Sequence, residues 1–269
     1  MNADDLRPRH HAALERIVLF DFVLTCQTGL HIGAGKSSDF AGSDLPVVRD
    51  ASGRPFIPGS SLRGVLRAGI ESFSLSLGLD ALRGMAKDVA LPAGMPEDFA
   101  KGWRELNLVE RLFGAVAEEK KRTISYGSRF QISDAKCVGD TLFEVRDGVG
   151  IQRETRTAAS SVKFDVEVVP AGTQFQGRVR LKNPADYEVG LIAQALWMLS
   201  EGVLLLGGKS SRGLGWVTVS VTQPRELKAT ALLARKRDES EQDLGPVEDK
   251  FQQYLDSLQE LADAAAAVS

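Results

Sequence analysis

The chain has 269 residues, of which 43% are hydrophobic and 26% charged, and its formal net charge is −3. That is enough sequence to fill the core of one large or two small globular domains, and it excludes a disordered, fibrous or disulfide-dense protein. The charge is uneven: from Gln223 onward six Lys/Arg stand against ten Asp/Glu, which leaves the first 222 residues at about +1. Two cysteines (Cys26 and Cys137) and three histidines cannot form a zinc site at these spacings, so both thiols are read as buried. The N-terminus MNADDLRPRHH is polar and carries acids, which argues against a signal peptide. The most apolar stretch, Ala195 to Leu206, is short and broken by Glu201 and Gly202, so no membrane span is expected and a reducing cytoplasmic location is the default.

Residues 1–15 read as a flexible tail, and the β-branched and aromatic run Ile17 to Thr25 as a first strand. Residues 29–58 form a long Gly/Ser/Asp/Pro-rich segment with one apolar patch, Leu45 to Val48, and a loop that long inside a domain is usually functional. Pro58-Gly59-Ser60-Ser61 then supplies a turn and an N-cap hydroxyl for a helix. Its stripe is Leu62, Val65, Leu66, Ile70, Phe73 and Leu77, with Arg63 and Arg67 one turn apart and off that stripe. Residues 78–127 read as an insertion, with a helix around Trp103 to Phe113 and a Lys/Arg cluster at Lys120 to Arg122. Ser128 to Val138 is strand-like, Gly150 to Ser161 is polar and basic, and Val162 to Val169 and Thr173 to Leu181 are strands. Tyr187 to Leu206 is the strongest helix pattern, with Val203 on its stripe. It leads into the Gly-rich loop Gly207 to Gly215 and a strand from Trp216 to Val221. Past residue 222 the chain turns acidic and loop-like until an amphipathic helix over about Val247 to Ala265. Strand, helix, strands, helix, strand is the order of an α+β, ferredoxin-like (RRM-like) unit, a common RNA-binding platform.

Two loops carry the chemistry. Gly208-Lys209-Ser210 invites a phosphate-loop reading, but Val203 occupies the position that requires glycine; Gly35-Lys36-Ser37 fails in the same way at Leu30. Both loops still offer small residues, backbone N–H groups and cations that suit phosphate oxygens. With Arg63 and Arg67 near a helix start they make a phosphate-binding groove.

GLHIGAG (containing His31), IPGSSLRG (Ile57 to Gly64) and GGKSSRGLG (Gly207 to Gly215), in this order, resemble the signature of the RAMP superfamily, the repeat-associated proteins of CRISPR effector complexes. Leu112-Phe113-Gly114, Ser133-Asp134-Ala135 and Glu167 to Phe175 are smaller matches. The resemblance covers about residues 16–222, excepting much of 78–127, and it leaves an acidic linker and C-terminal helix over 223–269 outside.

The likeness is strongest to the type III backbone subunit that cleaves target RNA. It implies a β-hairpin thumb, which falls on about residues 145–165 and brings Arg153 and Arg156. It also implies RNA contacts at His31, Lys36, Ser60, Ser61, Arg63, Arg67, Lys209, Ser210, Ser211 and Arg212. The partners implied are CRISPR guide RNA, single-stranded target RNA, further copies of the chain and other effector subunits, with no membrane.

In the pattern Asp44-Leu45-Pro46-Val47-Val48-Arg49-Asp50, the resemblance sets Asp44 on the cleaving position, holding a weakly bound Mg²⁺ or another divalent cation. RNA supplies its own nucleophile, the 2′-hydroxyl, so one carboxylate with a hydrated cation suffices. From the residues alone Asp44 is better read as an Asx-turn residue in a Gly/Ser loop, and it is the resemblance that reverses this order. Asp39 is a second candidate for the catalytic or metal-holding carboxylate, and Asp50 belongs to the turn Asp50-Ala51-Ser52-Gly53. Two other roles stay open: a non-catalytic structural or capping subunit, and a metal-independent guide-processing nuclease using His31 as base.

Overall fold

A computed structural model of the chain describes residues 14–35, 43–79, 97–119, 122–151, 154, 158–233 and 243–267. The elements run β1 (Arg16–Cys26), β2 (Phe56–Ile57), α1 (Gly59–Ser76), α2 (Glu97–Glu105), α3 (Leu108–Phe113), β3 (Ala115–Glu119), β4 (Arg122–Tyr126), β5 (Phe130–Ile132), β6 (Ala135–Cys137), β7 (Glu144–Ile151), β8 (Ala158–Val168), β9 (Gln174–Lys182), α4 (Asp186–Ser200), β10 (Val217–Val221), β11 (Arg225–Lys228), α5 (Ala229–Leu233) and α6 (Val247–Ala266). The chain is an α+β protein.

The alternation along β1 explains the layering. Val18, Phe20, Phe22, Leu24 and Cys26 are buried on one face, while Leu19, Val23 and Thr25 on the other are half-buried. The main sheet has the order β10-β1-β9-β6-β2, with β11 also on β1 and β5 also on β9, and its pairings are antiparallel. Two interleaved split β-α-β units, β1-α1-β5/β6 and β9-α4-β10, produce this order.

One face of the sheet carries α1, α4 and α6. Helix α1 buries Leu62, Leu66 and Ile70. Helix α4 is apolar nearly all round, because α6 covers the side that the sheet does not. The two helices meet closely at Gly190, where any side chain would collide with the Tyr254 carbonyl. Phe251 of α6 meets Phe20 of β1 edge to face at 4.8 Å. Beneath α4, the buried Arg129 guanidinium forms a two-pronged ion pair with the equally buried Glu188 and also donates to the carbonyls of Arg111 and Asn183.

Several local expectations are corrected. The run from Trp103 to Phe113 breaks into α2 and α3, because Asn107 accepts from the Glu110 N–H and caps a new helix. The strand over 128–138 is split at Ser133-Asp134 into β5 and β6. Ser60 and Ser61 sit inside the first turn of α1 and do not cap it; Asp134 accepts the Gly59 N–H at 2.7 Å instead. Helix α4 stops at Ser200, since Gly202 takes φ +70 and turns the chain, so Val203 is exposed rather than on a helical stripe. The sheet continues past residue 222 through β11. Cys26 is buried and its thiol is pushed up to about 12 by desolvation, whereas Cys137 is half-buried. No helix among the described residues is long and apolar enough to cross a membrane.

Candidate nucleic-acid interface

The two Gly-rich loops, far apart in sequence, are stitched together. Gly208 donates to the His31 carbonyl at 2.9 Å, and Gly215 to the Gly29 carbonyl at 2.9 Å. Gly207 and Gly215 have φ of +82 and +89, and a Cβ at either would strike a main-chain oxygen, of His31 and Leu206 respectively. Only glycine fits both the dihedral and the approach. Between them Lys209 adopts a left-handed conformation at φ 62, and Ser210–Arg212 forms one 3₁₀ turn.

His31 is buried in this seam. Its Nδ1 lies 2.8 Å from the Glu167 carbonyl oxygen, which can only accept, so Nδ1 carries the proton and Nε2 of the neutral ring is an acceptor beside Gly33. Phe164 of β8 has the Lys209 Nζ 5.2 Å and the Arg212 guanidinium 5.6 Å from its ring centre. Gly148 opposite makes room for that ring.

Hairpin β7–β8 also holds the segment with Asp44. The Asp44 Oδ2 accepts the Asp165 N–H at 3.0 Å, and Ser43 Oγ donates to the Asp165 carbonyl at 2.9 Å. Leu45 bridges Val166 in parallel. The buried Glu167 carboxylate then accepts the Val47 N–H at 2.9 Å and the Arg49 guanidinium, which lies 3.7 Å over the Phe143 ring. Segment 43–49 is thus an added strip along the free edge of β8. Asp44 is exposed, and its Oδ1 meets no partner among the described residues. Asp50 closes the turn, as expected: the N–H groups of Arg54 and Ser52 both donate to it and lower its pKa.

Asp147 and Asp165 stand opposite each other across the hairpin. Among the described residues no three His, Cys, Asp or Glu converge on one metal-sized position. The donor set therefore fits one hydrated, weakly held cation on Asp44 and does not fit a protein cage.

Other expected contacts lie elsewhere. Arg63 donates to the Phe113 carbonyl with its guanidinium 5.7 Å from the Phe113 ring centre, and burial together with Arg67 lowers its pKa. Arg67 pairs with Glu71 at 2.7 Å and donates to the Gly114 carbonyl at 3.3 Å. Both thus brace the end of α3, and no hydrogen bond or ion pair joins them to the Gly-rich loops among the described residues. Lys36, Asp39, Arg153 and Arg156 lie outside the described residues. Sequence reasoning gave no role to Phe164, Glu167 or Arg49: the signal for Phe164 was the strand alternation that sets it with Val166, while Glu167 and Arg49 stood inside matched passages without a function.

The open face of the main sheet is not an aromatic platform. Strand positions on β1, β5, β6, β9 and β10 place no aromatic side chain there; the one ring is half-buried Phe56 of β2, opposite Lys136 at the sheet's edge.

The chain is 30% identical over 208 residues to the "CRISPR system Cms endoribonuclease Csm3" of Methanocaldococcus jannaschii, covering 74% of this chain and 76% of that protein. A protein of the same name from Methanothermobacter thermautotrophicus is 50% identical over 50 residues, 18% of this chain and 20% of that one. The sequence model of the RAMP superfamily matches residues 23–218, the span that contains both Gly-rich loops, α1 and the hairpin. The chain belongs to the RAMP superfamily.

Proposed function

We propose that this chain is a guide-RNA-binding backbone subunit of a type III CRISPR effector complex. In this reading several copies lie side by side in the cytoplasm on one guide, and each cuts the paired target RNA with Asp44. The observation that carries it is the convergence of both Gly-rich loops, the cation-flanked Phe164 and the Asp44 segment on one hairpin base. The names of the two relatives support ribonuclease activity.

Lys209, Arg212 and the loop N–H groups would hold guide phosphates. Ser210 and Ser211 lie on the same turn. Ser60 and Ser61 face outward or partly outward at the start of α1, and Arg63 and Arg67 each retain donors for a phosphate. His31 Nε2, as an acceptor, suits a ribose hydroxyl. The Asp165 N–H orients the Asp44 carboxylate and leaves Oδ1 to accept the proton of the target 2′-hydroxyl as its oxygen attacks the adjacent phosphorus; the P–O5′ bond breaks, leaving a 2′,3′-cyclic phosphate and a 5′-oxygen that takes a proton from water. A divalent cation on Asp44, when bound, stabilises negative charge on the phosphate.

The test is cleavage of target RNA by the assembled complex with Mg²⁺. Asp44→Ala abolishes cutting and leaves assembly and RNA binding intact; undiminished cutting sinks the assignment. A non-catalytic structural role is the second reading, favoured because no three metal-ligating side chains converge among the described residues, and it predicts no cut at the position this subunit covers. A metal-free guide-processing nuclease with His31 Nε2 as base is the third reading, and it predicts cutting that persists in EDTA and is lost on His31→Ala.

A further inference from the structure

The two outer faces of this molecule are oppositely charged. On the open sheet face the register brings Lys136, Arg178, Arg180, Lys182 and Arg225 to one side, against a single strand carboxylate, Asp21. Arg178 grips that buried Asp21 with two bonds of 2.5 and 2.9 Å, and Arg180 donates to Gln131 at 2.7 Å, so the cations are held in place. The face is hollowed by an open depression of about 770 Å³ lined by Asp21, Ser133, Asp134, Lys136, Gln176 and Arg178. Half-buried Leu19 and Val23 lie beside these residues.

On the opposite side, the solvent face of α6 presents Glu248, Asp249, Asp256, Glu260 and Asp263, all exposed. Its one lysine, Lys250, is engaged with Asp243 at 2.7 Å. Helix α6 packs beside α4 on the buried face of the sheet, so the acidic and basic surfaces are on opposite sides of the same two layers.

We infer that these faces dock copies of this chain onto one another, the acidic α6 of one copy against the basic sheet face of the next. The inference rests on the multi-copy reading above and adds to it the surfaces that do the joining. Charge complementarity selects the partner. Because the two surfaces differ, the contact is heterologous and repeats from copy to copy, leaving an unused basic face at one end and an unused acidic face at the other. RNA is the poorer occupant of the sheet face, whose one strand aromatic, half-buried Phe56 of β2, stands at the edge with no second ring beside it to stack successive bases.

The test reverses charge on each face of the full chain. One variant carries Lys136→Glu with Arg180→Glu, the other Asp249→Lys with Asp256→Lys; thermal melts establish that both are folded. Sedimentation, with and without a guide-length RNA, should show each variant's self-association weakened by about tenfold relative to the native chain. Mixing the two variants should restore association, since the acidic sheet of one then meets the basic helix of the other. A native chain that assembles while both variants assemble equally well overturns the contact alone. So does a mixture that stays dispersed. Unchanged self-association of the sheet variant with lost RNA binding assigns the face to RNA and overturns the contact as well. A native chain that stays monomeric with and without RNA overturns both the contact and the multi-copy reading, whereas target cutting by Asp44 is scored separately.

Discussion

His31 and Glu167 are joined at the seam of the site: the imidazole Nδ1 lies 2.8 Å from the Glu167 main-chain oxygen, while the Glu167 carboxylate holds Val47 and Arg49. One residue of β8 thereby anchors both the ring beside the Gly-rich loops and the strip that carries Asp44. Replacing His31 with Ala removes a buried ring and leaves a carbonyl without its donor. The expected loss is about 1–3 kcal/mol of stability, read by urea denaturation, together with weaker RNA binding.

Asp44→Asn separates charge from geometry. Asparagine Oδ1 still accepts the Asp165 N–H, so the segment stays on β8 and the melting temperature is unchanged. Cutting of target RNA by the assembled complex should fall by about 100-fold or more, because the proton acceptor and the cation's charge partner are lost. Asp39→Asn in parallel decides between the two carboxylates: if it alone stops cutting, Asp44 is not the catalytic residue.

The salt dependence of RNA binding counts the phosphates held. Lys209→Gln and Arg212→Gln should each reduce the slope of log K against log salt by about 0.7. Reversal of charge at Arg63 or Arg67 should also weaken binding and lower the slope; an unchanged slope there would restrict these arginines to bracing α3.

Gly215→Ala tests the seam itself. With φ at +89 and the Leu206 carbonyl in the way, alanine should cost about 1–3 kcal/mol and uncouple the two Gly-rich loops. RNA affinity is expected to drop more than core stability, as judged by retained far-ultraviolet circular dichroism.

Thiol chemistry provides a pH check. Burial holds the Cys26 thiol protonated up to about pH 12, so at pH 8 its thiolate fraction is on the order of one in ten thousand. The folded protein should alkylate at Cys137 well before Cys26. The sign for stability follows: the unfolded thiol ionises first, so the contribution of Cys26 is intact below about pH 9 and is lost between about 9 and 12.

Strong periodicity made β1, α1, α4 and β10 legible in the sequence, because each buries a regular stripe. Strand β11, Arg225–Lys228, was not, since its four residues alternate weakly and it exists by pairing with the first half of β1. The hairpin of β7 and β8 was expected over about residues 145–165 from the family resemblance alone, since no strand pattern marks Glu144–Ile151; its backbone pairs with β8 despite the facing pair Asp147 and Asp165. The cap on α1 comes from Asp134, 75 residues away, and no local pattern could announce it. At the site, the Gly-rich motifs and Asp44 were visible as residue types in order. Their convergence was not, because it depends on Glu167 and Asp165 using main-chain and side-chain atoms together.

The central position of β1 bears on how the chain is made. Ile17 pairs with Lys182, and Phe22 with Val221, so the first strand to leave the ribosome has no neighbour until far later sequence follows. At about 5–20 residues per second, Phe20, Phe22 and Leu24 stay without a sheet for on the order of ten seconds. Closure of this core is a late, slow event dominated by distant pairings. For that interval the apolar face of β1 has neither its sheet partners nor the helices α4 and α6 that cover it.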